Sequence, residues 1–400
     1  MSFEEARRII IETVRALQAV GKQETVPLDE AHGRVLAEPL LADRDYPALR
    51  RSLRDGFAVI SSNLPGTLLV RGEVRAGEKG EPALRDGEAL EIMTGAPVPD
   101  EADAVVMVEH VERLTAADGS MRIRIHQPAE PGQFINDRGA EAKRGAVLIP
   151  AGTRLDTSHI AALAMTGHTS VPVFTRPSVA ILATGDEIVP VEATPAAHQI
   201  RDSNSHMLAA LVRASGGAPA VFPVARDSKD ALRPLLQHGL QYDLLLISGG
   251  VSAGKYDLVK PVLRELNAHF HFERVRIQPG QPATFAVADK QPVFALPGNP
   301  GSSLVTFQLF ARPALEILGG QSEPLLPLLQ ARLEAPFRHK GGLTRFLPAR
   351  LSDDGQSIRH IPWQGSSDVP ALAQANVFLV ADYDRESWNT GESIRVLLKP

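Results

Sequence analysis

The sequence predicts a multidomain α/β protein: a parallel-sheet domain, a β-rich insert, a helical N-terminal part and a small β-rich C-terminal domain. Three observations lead there. The chain has 400 residues, against roughly 100–200 per domain. Hydrophobic residues make up 44% and charged residues 22%, a globular balance that excludes a disordered chain. Between residues 177 and 320, short apolar runs alternate with capped helical patterns, the mark of a parallel sheet with right-handed crossovers.

Taken in order, the first element is a helix. Ser2 and Glu5 form a capping box, and Phe3, Ala6, Ile10, Val14 and Leu17 make one apolar stripe. That stripe cannot be buried by its own helix, so the helix is expected to pack with the segment around 138–172. From about 64 to 130 come short strands: Thr67–Val70, Leu90–Met93, Ala104–Val108 and Met121–His126. In the last of these, apolar and polar residues alternate as on a half-buried strand. A small-residue helix, Ser158–Met165, follows the break at Gly145–Gly152. Val179–Ala183, Ala220–Val224, Leu244–Ile247 and Val293–Leu296 are continuous apolar runs, as in strands buried on both faces. Helices are expected at Ser205–Ser215, Lys229–His238 and Leu258–Asn267 between them. Past Gly320 come Arg345–Leu351, Ile358–Ile361, Val377–Ala381 and Ile394–Leu398, read as strands. The expected domains are 1–45 with 138–172, then 46–137, 173–325 and 326–400.

Composition narrows the function. A net charge of −5 argues against nucleic acid or an anionic membrane as the main partner. The absence of cysteine removes disulfides and thiolate chemistry and leaves oxygen and histidine ligands for any metal. The acidic N-terminus is not that of a signal peptide, and no apolar run approaches the ~20 residues that span a bilayer. A cytoplasmic protein is expected.

Three strand-to-helix loops share one design: Thr184-Gly185-Asp186-Glu187, Ser248-Gly249-Gly250-Val251-Ser252-Ala253-Gly254, and Pro297-Gly298-Asn299-Pro300-Gly301-Ser302-Ser303. In open α/β sheets, ligands bind at the carboxyl ends of strands. Glycines there admit a ligand to backbone N–H groups, and helix N-termini favour anions. Convergence of the three predicts a phosphate-bearing ligand, although none matches the dinucleotide fingerprint or the P-loop. Glu187 and Asp257 are the metal candidates, because Mg²⁺ takes one or two carboxylates plus substrate phosphates. Asp186 and Asp227 lie close in the pattern. Arg44, Arg50, Arg51 and Arg54 crowd the segment before Asp55; such a run is a solvated face or an attractor of oxyanions.

In chain order these motifs resemble the molybdopterin molybdenumtransferase family, MoeA in bacteria and the E domain of gephyrin. The resemblance is carried by Ser52–Ala58, Met93–Pro99, Thr184–Glu187, Asp202–Asn204, Ser248–Asp257 and Leu296–Pro300. It implies an elongated four-part subunit that dimerises, with its active site in a cleft between the α/β domain and β-rich parts of the partner chain. It implies conversion of adenylylated molybdopterin and molybdate to molybdenum cofactor and AMP with Mg²⁺ or a similar divalent cation. The molybdopterin adenylyltransferase is a candidate partner. Carried over by position, Glu187 and Asp257 would hold the metal, with Asp55, Thr94 and Asp227 also catalytic. Thr184, Gly185, Asp186, Asp202, Asn204, Ser248, Gly249, Gly250, Ser252, Pro297, Gly298, Asn299, Pro300 and Ser302 would bind the nucleotide and pterin phosphate.

The chain also departs from the family. Lys-Pro-Gly-Lys-Pro is Gln278-Pro279-Gly280-Gln281-Pro282 here, Lys255 stands where an acid is usual, and Asn136 lies in an altered segment. Lys255, Arg274 and Arg276 are the expected compensating cations. Two alternatives stay open: a paralogue that binds a molybdopterin nucleotide without inserting metal, and a non-catalytic scaffolding dimer.

Overall fold

The computed structural model describes residues 1–17, 21–77, 83–250 and 258–399. They form two compact units, one of Met1–Glu38, Ala151–Ile160 and Thr169–Pro400, the other of Pro39–Pro150 and Ala161–His168. No helix among the described residues is long and apolar enough to cross a membrane.

In the first unit, α1 (Phe3–Leu17) opens on the expected capping box. The Ser2 N–H donates to Glu5 Oε2 at 2.7 Å, and the Glu5 N–H donates to Ser2 Oγ at 3.2 Å. Its stripe does not pack as the sequence suggests. Phe3, Ala6, Ile10 and Val14 join a core with Leu309, Phe310, Ala314 and Ile317. The reason is supply of apolar surface: the helix at Thr157–Met165 buries only Leu163. The N-terminal region meets the 138–172 segment through backbone instead, with Gln23–Pro27 antiparallel to Ser170–Phe174.

The central sheet contains β1 (Ser178–Ala183), β2 (Ala218–Val221), β3 (Leu244–Ser248), β4 (His269–Phe272), β6 (Thr284–Ala288) and β7 (Gln291–Leu296); β5 (Ile277–Gln278) leaves it. The order is β2-β1-β3-β7-β6-β4. The first four are mutually parallel; β6 runs antiparallel to β7, and β4 runs antiparallel to β6. The sheet is therefore mixed at one edge. Asp289 and Lys290, with φ of 46° and 68°, close β6 and β7 into a hairpin, and so short a link leaves no room for a crossover helix. Both residues lack the glycine that would have marked the turn.

Helices cover both faces. α2 (Asn204–Ala214), α5 (Pro300–Thr306) and α6 (Arg312–Leu318) share one core with α1, and α3 (Lys229–Gly239) and α4 (Val259–Glu265) share the other. A π segment, Phe307–Ala311, joins α5 to α6. Alternate residues of the same strand feed the two cores, Val179 and Ile181 one, Ala180 and Leu182 the other. That double burial is why these strands read as unbroken apolar runs.

C-terminal to α6, β8 (Leu328–Leu333), β9 (Thr344–Leu351), β10 (Ser357–His360), β11 (Val377–Ala381) and β12 (Ser393–Leu398) pair in a closed ring. β5 adds to this barrel, parallel to β9, with Gln278 opposite Arg345. The segment after β5 is thereby fixed beside the barrel.

The second unit is built on a six-stranded sheet, in the order Ala104–Met107, Gly56–Val59, Glu88–Ile92, Gly66–Val74, Met121–Ile125, Val111–Thr115. Apolar clusters cover both of its faces. Gly56 is required by close approach, because a Cβ there would lie 2.0 Å from the Val106 carbonyl oxygen.

Candidate functional site

β2 lies on one side of β1, and β3 and β7 on the other. Loops leaving the ends of β1 and β3 therefore diverge and open a crevice at the carboxyl edge of the sheet. The edge is stitched by backbone bonds: the Thr184 N–H donates to Ser248 O at 3.0 Å, and the Gly249 N–H to Leu296 O at 3.0 Å. Gly249 has φ of 95°, and a Cβ there would stand 2.7 Å from the Thr184 carbonyl oxygen. Only glycine permits this packing of one loop on the next.

Asn204, the first residue of α2, binds the loops together. It is buried, and its Nδ2 donates to Ser248 Oγ at 2.8 Å and to Gly298 O at 2.7 Å. The carboxylate of Asp202 accepts from the Ser205 N–H at 3.0 Å and fixes the entry to α2. In the third loop, Ser303 Oγ donates to Pro297 O at 2.5 Å, and Asn299 Nδ2 donates to Ser366 Oγ at 2.9 Å. Three buried atoms here, Thr184 Oγ1, Asn204 Oδ1 and Ser205 Oγ, have no hydrogen-bond partner among the described residues. Buried polar groups are paired in the great majority of cases, so this cluster of orphans fits a polar ligand. Ser252, Lys255 and Asp257 lie outside the described residues.

Acids gather at the same edge. The Asp227 N–H donates to Asp186 Oδ1 at 3.4 Å, and the Glu187 carboxylate approaches Gly185. Burial pushes the Asp227 carboxyl up, and the negative charges of Asp186 and Glu187 add to the effect. Among the described residues no three acids or histidines form a protein-only metal site. The donor set, hard carboxylate oxygens, fits a divalent cation that takes its remaining ligands from phosphates.

Asp55 and Thr94 meet in the second unit. Asp55 Oδ1 accepts from the Thr94 N–H at 2.6 Å and from the Thr94 hydroxyl at 2.8 Å. Those two bonds, the backbone one foremost, hold the Asp55 carboxyl below its ordinary range. The segments that carry them are zipped by the Ser52 N–H on Ala96 O and the Gly95 N–H on Ser52 O.

A second feature of the first unit is invisible in sequence order. A cavity of about 520 Å³ lies between the Gln278–Pro282 segment and the barrel, with Ser302, Arg345, Trp363 and Ser366 among its walls. Among the described residues, one cation, Arg345, and no carboxylate line it. Arg274 and Arg276 are not in the lining; the Arg276 guanidinium lies over the Tyr383 ring at 5.1 Å. Arg345 was unmarked because only the β5–β9 register brings it opposite residue 278.

Three family models match the chain in succession: the MoeA N-terminal region (domain I and II) over residues 1–167, a domain described as "Probable molybdopterin binding domain" over 180–317, and the MoeA C-terminal region (domain IV) over 330–399. The molybdopterin molybdenumtransferase of a Nostoc species is 33% identical, the match covering 100% of this chain and 94% of that protein. The protein of the same name from Bacillus subtilis is 32% identical over 95% of this chain and 91% of its own. Among solved structures, the molybdopterin biosynthesis MoeA protein of Pyrococcus horikoshii aligns with a TM-score of 0.80 at 28% identity, covering 100% of this chain and 99% of that one.

Proposed function

The chain belongs to the MoeA family of molybdopterin molybdenumtransferases, enzymes of molybdenum cofactor biosynthesis, and from that premise we propose that it inserts molybdate into adenylylated molybdopterin with release of AMP. The observation that carries the proposal is the crevice in which Asn204 ties the Ser248 and Gly298 loops together, beside three buried polar atoms with no partner among the described residues. The named relatives are transferases and lend no support to a binding-only paralogue or a scaffold.

In this proposal Thr184, Gly185, Asp186, Asp202, Asn204 and Ser248–Gly250 hold the nucleotide and pterin phosphate, with the Pro297–Pro300 loop and Ser302. Ser252 would extend the same loop. Glu187 and Asp257 hold a divalent cation, and Asp227 lies beside it. When bound, Mg²⁺ would neutralise phosphate charge and favour departure of the AMP phosphate. Asp55 and Thr94 are also catalytic in this proposal; their mutual bonds orient Asp55 and favour its ionised form. The pocket beside Gln278–Pro282 is the place for the oxyanion. The four-part division of the chain, a homodimer, a cytoplasmic setting and docking of the adenylyltransferase complete the proposal.

The test is direct. Purified protein given adenylylated molybdopterin, Mg²⁺ and molybdate should release AMP, and omission of either the cation or molybdate should stop it. Nucleotide binding without AMP release under saturating molybdate would refute the transferase reading in favour of the binding-only one.

A further inference from the structure

We infer that Arg345 is the cation that holds a tetrahedral oxyanion in the pocket beside Gln278–Pro282, and that it occupies the electrostatic place of a lysine at position 278. The inference rests on the proposed assignment of that pocket to the oxyanion, and deepens it by naming the residue and the ligand class.

Four observations carry it. Arg345 lines the cavity together with neutral polar groups, Gln278, Gln281, Ser302 and Ser366, and with no acid among the described residues. Its Nε is buried and has no hydrogen-bond partner among the described residues. No ion pair to Arg345 exists among the described residues. The parallel register of β5 on β9 sets Gln278 opposite Arg345.

A guanidinium cannot shed its charge, so an unpaired one beside a cavity leaves donors unmet at a cost. A tetrahedral oxyanion satisfies them, because its oxygens match the planar fork of two N–H groups. The same register explains the neutral Gln278. Like charges directly opposite on paired strands destabilise them, so Arg345 and a lysine at 278 would repel. Gln278 keeps a donor there without the second charge. The departure from Lys-Pro-Gly-Lys-Pro is then a relocation of charge across two strands.

The ligand chemistry has two sources, a free oxyanion such as molybdate or the phosphate end of a nucleotide. Equilibrium binding to the full chain separates them, with molybdate, inorganic phosphate and AMP as probes. Arg345→Gln should weaken molybdate binding by about ten-fold or more, the worth of one hydrogen bond to a charged group. Adding Gln278→Lys to that variant should restore most of the loss, whereas Gln278→Lys alone should gain little. A structural role for Arg345 would not be rescued from the opposite strand. If Arg345→Gln fails to fold, Gln278→Glu gives Arg345 an internal partner and should abolish molybdate binding in a folded protein. An Arg345 dependence for AMP that exceeds that for molybdate would identify the phosphate end as the occupant.

Molybdate affinity unchanged in Arg345→Gln, or unrescued in the folded double variant, would overturn the inference. AMP release from wild type with an unaltered molybdate requirement in Arg345→Gln would sink the role of Arg345 and leave the transferase reading intact. Arg345-dependent oxyanion binding without any AMP release would do the reverse.

Discussion

At the carboxyl ends of β1 and β2, Asp186, Glu187 and Asp227 gather, and burial together with the charges of the other two acids pushes the Asp227 carboxyl up. Beside Gln278–Pro282, Arg345 lines a cavity that holds no other cation and no carboxylate among the described residues. Both regions belong to one unit, and they call for opposite partners: the first for a cation with its phosphates, the second for an anion. A reaction that brings a metal-bound nucleotide and an oxyanion together needs both environments, and separation keeps each from neutralising the other. The lesson is that the missing lysines do not leave the protein without an anion site; its charge comes from another strand.

The largest effect should follow from breaking the acidic side. Glu187→Gln should lower AMP release by roughly 100-fold or more, since metal stabilisation of charge is worth several kcal/mol, and should remove the Mg²⁺ dependence. Its melting temperature should move little, because the residue lies on a loop. AMP release titrated against Mg²⁺ checks this, and an unchanged Mg²⁺ dependence would sink the metal assignment. Next in size is Asn204→Ala. It strips two buried bonds, to Ser248 and Gly298, and each orphaned partner costs about 1–3 kcal/mol. The urea midpoint should fall and turnover should fall with it, while a midpoint equal to wild type would show that Asn204 does not bind the loops together.

How far the sequence announces this arrangement differs between the two regions. The crevice was legible because its determinants are local: apolar runs ending in glycine-rich turns place Thr184, Ser248 and Pro297 at strand ends whatever the rest of the chain does. The capping box of α1 is local too. The partner of the α1 stripe was not legible, because amphipathicity states that a face is buried and not by what. The antiparallel edge was hidden by a turn of Asp289 and Lys290, which adopt positive φ without a glycine. The strands Leu328–Leu333 and Val111–Thr115 were also missed, each lying in a polar or proline-rich context. Arg345 stood plainly at the head of an expected strand, yet its meaning depends on register with residue 278, a long-range pairing that no short window contains. Lys255 and Asp257 lie outside the described residues.

Two carboxylates sharpen the comparison further, because their environments push them in opposite directions. Asp55 is held down by the N–H and hydroxyl of Thr94. Thr94→Val removes the hydroxyl bond, so the acid limb of the pH profile for AMP release should move to higher pH; a limb that stays in place would exclude Asp55 as the group that sets it. Asp227 is held up by burial and by Asp186 and Glu187. For a raised carboxyl, the stability it contributes is full below its unfolded pKa and is lost as pH rises through the folded one. Without divalent cation, Asp227→Asn should therefore melt above wild type at neutral pH and show a flatter pH dependence. Mg²⁺ should raise the melting temperature of wild type more than that of Asp227→Asn. This is the smallest effect of the series, and thermal melts across pH with and without Mg²⁺ measure it.

A crossed binding experiment on Glu187→Gln and Arg345→Gln reaches the division between crevice and pocket most directly. Each folded variant is titrated with AMP in the presence of Mg²⁺ and, separately, with molybdate alone. Glu187→Gln should lose the Mg²⁺-dependent part of nucleotide binding and keep its molybdate affinity, and Arg345→Gln should do the opposite. If either substitution weakened both ligands equally, the crevice and the pocket would be one site, and the separation of charge argued from their geometry would be wrong.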